Sequence, residues 1–493
     1  MDNTGKKRPI PDNPEVLETF FKEHVGLGVS YDIGVRKVQI LKKELQLYYL
    51  NGLVDTMSII QILKTLFALN KGDHPSNKAA YELIQNQIAH MQVETAKTLD
   101  EMVDRVLSGL IAIVVEGENE AIIIDVRNYP GRTPMEPDTE KVVRGSRDGY
   151  VENIVFNTAL TRRRIRDERL RFEMMKVGER SKTDVSIAYI DGVADPELIE
   201  TVRREIKAID TDGITMADKT VEEFLQKQGF NPFPLIRYTE RADVGAAHLL
   251  EGHVLIFVDT SPSVMITPTT VFHHMQHAEE YRQAAAVGTF IRWVRFLGIF
   301  TSIFLLPLWY LVSVDTALLP DKLEYIGPNK ESHIPLILQL LIADLGVEFM
   351  RIAAIHTPTP LATAMGLIAA VMVGEIAVEV GLFVSEVILY VSAAAIGTFV
   401  TPSYELSVAN KIARVTLLIA VGFFQVKGFV IGSTVFLLFL VSIRSLNTPY
   451  FWPFIPFNPM AFLQIIFRRP VPGSKLRPSI VHPGDRFRQP PDA

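Results

Sequence analysis

The sequence predicts an α/β soluble N-terminal region followed by an α-helical multi-span membrane domain. Three observations carry this. Mean hydropathy is positive, +0.19, although 22% of residues are charged, so polar and apolar residues must be segregated. They are: most of the charge lies before residue 290, and residues 293–445 are mostly apolar. The charged part alternates short β-runs with capped helical patterns. Within it one phrase occurs twice: LYYLNGLVD (47–55) aligns without a gap with IAYIDGVAD (187–195), matching Tyr49 to Tyr189, Gly52 to Gly192 and Asp55 to Asp195. We read two related mixed α/β subdomains, the product of a duplication.

The elements follow in order. Residues 1–16 are polar and proline-rich, a flexible lead. They place no apolar run behind their basic residues and are not read as a signal peptide. The first subdomain is set at 17–145. It holds a strand at 45–50, a turn at Asn51-Gly52, a helix over 56–69 capped by Asp55, and helices near 76–93 and 98–108. A hairpin follows, with strands 110–115 and 121–126 joined by Glu116-Gly117-Glu118-Asn119. The second subdomain is set at 146–288. A basic helix over 150–171 opens it. Strand 185–190, turn Asp191-Gly192, helices at 196–209, 217–228 and 240–250, and a hairpin over 253–258 and 264–267 repeat the first pattern. Arg162, Arg163, Arg164 and Arg166 form either a solvated, salt-bridged face or a docking stripe for anionic headgroups or an acidic partner.

The membrane domain is set at 289–460. Its six apolar stretches are 293–314, 335–355, 361–383, 385–400, 412–426 and 428–443. The second contains Asp344, Glu348 and Arg351, whose spacing allows an internal ion pair. The third would span about 34 Å as a helix, enough to cross a bilayer. Ala362, Gly366, Ala370 and Gly374 give it a small face on which another helix can pack closely. Glu375 and Glu379 stack one turn apart, where carboxylates are costly in lipid. Arg292, Arg295, Lys411, Arg414 and Arg444 set both termini on the cytoplasmic side by the positive-inside rule, with six crossings or, failing the weaker stretches, four. Pro449–Pro459 reads as an interfacial aromatic belt. The basic, proline-rich tail 461–493 reads as disordered.

Composition excludes several classes. There is no cysteine, hence no disulfide, thiolate metal site or cysteine nucleophile. The net charge of −6 gives no nucleic-acid signal. No phosphate-binding loop or dinucleotide fingerprint is present. Asp259-Thr260-Ser261-Pro262 reads as a β-turn, without the context of a catalytic serine. His273, His277 and Glu280 could share a helical face, but no fourth metal ligand can be named, and an amphipathic surface segment is the better reading. No enzyme activity, cofactor or metal is expected.

Four segments then converge on one family. GSRDGYVENIVFNTALTRRR (145–164), IAYIDGVADPELIETVRREIKAIDTDGI (187–214), FPLIRYTERADVGAAHLLEGHVLIFVDTSPSVMITP (233–268) and PTPLATAMGLIAAVMVGEIAVEVGLFVSEVILYVSAAAIGTFVTPSYELS (358–407) resemble the A subunits of bacterial spore germinant receptors. The resemblance runs in order from about residue 20 to 460. It looks closest to a branch linked to the machinery that moves dipicolinic acid, not to the classical nutrient receptors. It implies a multi-pass protein of the spore inner membrane whose two α/β subdomains face the core. It also implies a homo-oligomeric ring whose membrane helices form an ion channel during germination, with the lipid bilayer and other germination membrane proteins as partners. The family often has a glutamine and alanines where Glu375 and Glu379 sit, and aromatics or acids in place of Phe272–His277. Two functions follow as expectations. The first is an ion-conducting oligomer with Glu375 and Glu379 on the ion pathway. The second is a non-conducting accessory subunit of the dipicolinic-acid channel or of receptor complexes.

Overall fold

A computed structural model describes residues 8–71, 80–88, 92–128, 137, 140–319, 323, 326–329, 333–356 and 371–489. The chain divides into two compact units. One comprises residues 1–227, 236–268 and 472–493, the other 228–235 and 269–471.

The first unit contains two five-stranded antiparallel sheets of the same topology. Helix α1 (Pro14–Phe20) leads into β1 (Ile33–Ile40) and β2 (Lys43–Leu50). After α2 (Thr56–Ala68) and α3 (Ala80–Gln87) come β3 (Val93–Ala96), α4 (Leu99–Leu107), β4 (Ile111–Val115) and β5 (Ala121–Ile124), in sheet order β1-β2-β4-β5-β3. The period-two alternation of a strand sends Leu45, Leu47, Ile111 and Ile113 to one face, under Ile62 and Leu66 of α2 and Ile84 of α3. Tyr48, Leu50, Ala112 and Val114 go to the other, against Phe21, Met102 and Val106. Both faces of β4 and β5 are covered, which is why these two strands read as unbroken apolar runs.

The second sheet repeats this plan. Helix α5 (Ile154–Arg164), β6 (Leu170–Val177), β7 (Thr183–Ile190), α6 (Pro196–Lys207), α7 (Ala217–Gln226), β8 (Arg237–Thr239), α8 (Ala242–Glu251), β9 (Val254–Val258) and β10 (Val264–Thr267) give the order β6-β7-β9-β10-β8. The repeated phrase does the same work in both. Gly52 and Gly192 take φ of +80° and +76°, a region favouring glycine. Asp55 Oδ1 then accepts the Met57 amide at 3.1 Å, and Asp195 Oδ1 the Glu197 amide at 3.0 Å, starting α2 and α6.

Two expectations in this unit fail. The basic segment is not a helix to residue 171: α5 stops at Arg164, Ile165 is extended, and β6 begins at Leu170. The alternation Leu170, Phe172 against Arg171, Glu173 carries the strand signal, which the arginine run before it masks in the sequence. The tail differs too. Residues 476 and 487 bridge as antiparallel partners. Arg477 Nε donates to the Leu250 carbonyl at 2.8 Å, and the Gly484 amide donates to Val193 at 3.0 Å. Through Gln489 the tail is therefore a strap on the second sheet subdomain, held by backbone partners that composition does not reveal.

The second unit is helical. It contains α9 (Val271–Met275), α10 (Ala278–Arg282), α11 (Ala285–Val314), α12 (Leu336–His356), α13 (Ser385–Phe399), α14 (Tyr404–Ser442) and α15 (Pro459–Ile466). Helices α11 and α14 are long and apolar enough to cross a membrane, with mean hydropathies of 2.0 and 1.9. Inside α14 the backbone reverses at Gln425 (φ 50°, ψ −128°), two positions before the break expected at Lys427-Gly428. The two arms pack back to back: a Cβ on Gly428 would strike the Ala420 carbonyl, and one on Gly432 would lie 3.7 Å from the Ala420 Cβ. Leu306, Trp309, Leu340, Val387, Val391, Leu418 and Val421 form one core. Phe233, Phe272, Leu406, Leu440 and Tyr450 belong to another. Much of the expected aromatic belt is inside this second core, since Phe272 stacks on Phe454 at 5.3 Å and Tyr450 is fully buried. Phe457 and Ile455 remain exposed.

Candidate functional site

The central membrane stretch is only partly described. Ala362, Gly366 and Ala370, three of the four residues of the expected small face, lie outside the described residues. Gly374 is half-buried, and a Cβ there would meet nothing within 4 Å. From Val371 the chain is a π-helix to Ile376, then one α-turn to Glu379, and it ends at Gly381 with φ +75°. Glu375 and Glu379 are exposed and have no hydrogen-bond or ion-pair partner among the described residues. The small-residue contact that is described lies elsewhere: a Cβ on Gly397 of α13 would collide with the Gly298 carbonyl of α11.

Asp344, Glu348 and Glu280 of the helical unit are matched. Arg414 Nη2 donates to Asp344 Oδ1 at 2.6 Å, and both side chains are almost fully buried. Lys411 Nζ donates to Glu348 Oε2 at 2.8 Å and lies 3.6 Å from Asp344. Arg351 Nε completes the row, donating to Glu348 Oε1 at 3.0 Å, and its guanidinium sits 5.0 Å over the Tyr404 ring. The pair expected between Glu348 and Arg351 is thus one part of a five-residue network joining α12 to the first arm of α14. Lys411 and Arg414, read in the sequence as cytoplasmic-side charges that report topology, are residues of α14 that pair with the acids of α12. A second cluster has the same logic. Arg292 Nε donates to the buried Glu280 at 2.8 Å, and Arg295 pairs with the same carboxylate.

The remaining candidates resolve individually. Of the docking arginines, Arg162 is fully buried, and its Nη2 is 3.2 Å from Asp32 Oδ2. It joins the two sheet subdomains together with the Tyr31–Thr158 hydroxyl contact at 2.6 Å, so it is withdrawn from any docking stripe. Arg164 is paired with Asp148 at 2.7 Å. Arg163 and Arg166 are exposed. The proposed helical face of His273, His277 and Glu280 does not form, because the helix breaks at Gln276. His273 Nδ1 accepts the Thr270 amide and His277 Nδ1 the Glu279 amide, each closing a helix start. Asp259 Oδ1 accepts the Ile154 amide at 3.2 Å. The pairing of α12 with α14 is a feature that the sequence did not predict. Its clue is two acids and three bases at helical spacing in two apolar stretches.

Comparison with known proteins places this architecture. The family profile described as Bacillus/Clostridium GerA spore germination protein matches residues 19–480. Stage V sporulation protein AF of Bacillus subtilis (strain 168) is 63% identical over 489 residues, covering 99% of each chain. Spore germination protein A1 of the same organism is 30% identical over 458 residues, 92% of each chain. The crystal structure of the N-terminal domain of the A subunit of the Bacillus megaterium spore germinant receptor GerK3 covers 53% of this chain and 97% of its own, at 31% identity and a TM-score of 0.43. With a match over nearly its whole length and two long apolar helices, the chain belongs to the GerA family of spore germination proteins, a family of membrane proteins that are not enzymes.

Proposed function

We propose that this protein acts in the spore inner membrane as a homo-oligomer that forms, or supports, an ion-conducting path during germination. One observation carries the reading. Glu375 and Glu379 are exposed at the end of a membrane stretch, one turn apart, while Asp344, Glu348 and Glu280 in the same unit are ion-paired. An unmatched carboxylate at membrane depth is costly unless it faces water or a neighbour. Several copies packed through the small face that includes Gly374 would turn these residues into acidic rings, which favour cations. In this reading both termini lie on the core side, and the sheet unit transmits the state of partners to the membrane helices.

The test is Glu375→Gln with Glu379→Gln in reconstituted vesicles. Cation flux is expected to fall while assembly is unchanged; unchanged flux sinks the pore role. The competing reading is a non-conducting accessory subunit of the dipicolinic-acid channel or of receptor complexes. It has a smaller docking face than the sequence suggested, because Arg162 is buried and Arg164 is paired. Sizing the detergent-purified protein separates the two: a symmetric ring formed alone supports the channel, and a monomer that assembles only with other germination proteins supports the accessory role.

A further inference from the structure

A shallow groove of about 370 Å³ lies where α11 begins, lined by Ala285, Ala286, Thr289, Phe290, Trp293, Phe467 and Arg468. Its two ends differ chemically. At one end is the first turn of a 30-residue helix whose N-cap, Ala284, offers no side-chain acceptor, and the turn contains no acid. The amide groups there and the helix dipole favour an anion. Arg468 stands at the same end. Its backbone amide donates to Thr289 Oγ1 at 3.1 Å and its Nη2 to the Tyr281 carbonyl at 2.8 Å, which fixes the side chain. Its Nε is buried without a partner among the described residues, and Arg469 follows it on the surface. At the other end the groove is aromatic. Trp293 meets Phe467 edge to face at 5.6 Å, with its indole N–H bound to the Ile466 carbonyl, and Phe290 is exposed beside them.

We propose that this groove binds one anionic phospholipid. The headgroup phosphate sits between the uncapped first turn of α11 and the Arg468 guanidinium, and an acyl chain lies along Phe290, Trp293 and Phe467. A free phosphate would leave the aromatic half unused. An apolar peptide would leave the arginine and the amide groups unmatched. A membrane-entry helix whose tryptophan sits at its charged end is placed where a lipid headgroup meets hydrocarbon. The anionic headgroup contact expected of Arg162–Arg166 is thereby assigned to a different part of the chain.

The three tryptophans provide the assay. With Trp309→Phe and Trp452→Phe, Trp293 is the sole tryptophan, excited selectively over the tyrosines, of the full-length protein in vesicles containing brominated phosphatidylglycerol or brominated phosphatidylcholine. Quenching by the anionic lipid is expected at a mole fraction about fivefold lower than by the zwitterionic one. Both carry the phosphate, but in the zwitterionic lipid the choline ammonium cancels its charge, and one uncancelled charge beside an arginine is worth about that ratio. Arg468→Gln should abolish the difference and Arg468→Lys should retain most of it. Inorganic phosphate at equal concentration should not reverse it. Equal quenching by both lipids, an unaltered preference in Arg468→Gln, or competition by inorganic phosphate would each overturn the proposal. So would absence of quenching by either lipid, which would mean that a protein surface fills the groove. A matching circular dichroism spectrum of each variant confirms that these outcomes refer to folded protein.

Discussion

Asp344 and Arg414 form a buried ion pair at 2.6 Å between α12 and the first arm of α14, and Arg414 Nη1 also donates to the Ser302 carbonyl of α11 at 2.7 Å. One guanidinium therefore ties three helices together. Burying two charges is expensive in itself, so the pair is a device for specifying which helices meet rather than a source of net stability.

Asp344→Asn leaves the Arg414 and Lys411 charges short of one carboxylate in a site closed to water. Loss of one partner of a buried pair costs about 3–5 kcal/mol. The thermal midpoint of the detergent-purified protein should fall accordingly. Replacing both partners, Asp344→Leu with Arg414→Leu, should recover much of the loss, because the uncompensated charge is gone. A double variant no better than the single one would show that the pair is not acting as a unit.

The reversal at Gln425 is directly testable because the chain has no cysteine. Ala420→Cys with Gly432→Cys places two Cβ atoms 3.7 Å apart, inside the range of a disulfide, about 3.5–4.5 Å. Mild oxidation should produce an intrachain bond, read as a loss of two hydrogen atoms in the intact mass, their electrons passing to the added oxidant. A continuous straight helix would separate these residues by about 18 Å and give none.

The sheet unit carries its own acid sensitivity. His253 is fully buried on the edge of β9, 5.0 Å from the ring of His248, and burial pushes its imidazole down to about 4. His248 is pushed down in the same direction, by burial and then by the charge of Arg237. The unfolded chain takes up these protons near the ordinary value of about 6.5, before the folded chain does. Stability is therefore complete above about pH 6.5 and is lost as pH falls towards about 4. Urea midpoints of the full chain, followed by the signal of the β-rich unit, should drop between about pH 7.5 and pH 5. His253→Gln should flatten that slope, and a flat profile in the parent protein contradicts the assignment.

Much of the fold is legible in the sequence. The repeated phrase predicts two equivalent turns and caps, and both form as expected because Gly52, Gly192, Asp55 and Asp195 act through local geometry. The errors share a physical cause, dependence on residues distant in sequence. Arg162 reads as surface charge because its partner, Asp32, lies 130 positions earlier. Lys411 and Arg414 read only as topology markers because their partners Asp344 and Glu348 belong to another apolar stretch. The tail reads as disordered because its partners are backbone carbonyls at Val193 and Leu250, which no composition reports. The candidate acids, Glu375 and Glu379, stand out in sequence for the reason they stand out in the structure: among the described residues, nothing matches their charge.

The pairing of Asp344 with Arg414 also bears on how the protein is made. The two are 70 positions apart, and synthesis proceeds from the N-terminus, so α12 emerges from the ribosome well before the arginine that will neutralise its carboxylate. Until α14 arrives, Asp344 lacks the guanidinium that pairs with it. A nascent chain truncated between the two cannot complete this site. Such half-made products present an unmatched acid in an apolar helix, which is costly in lipid.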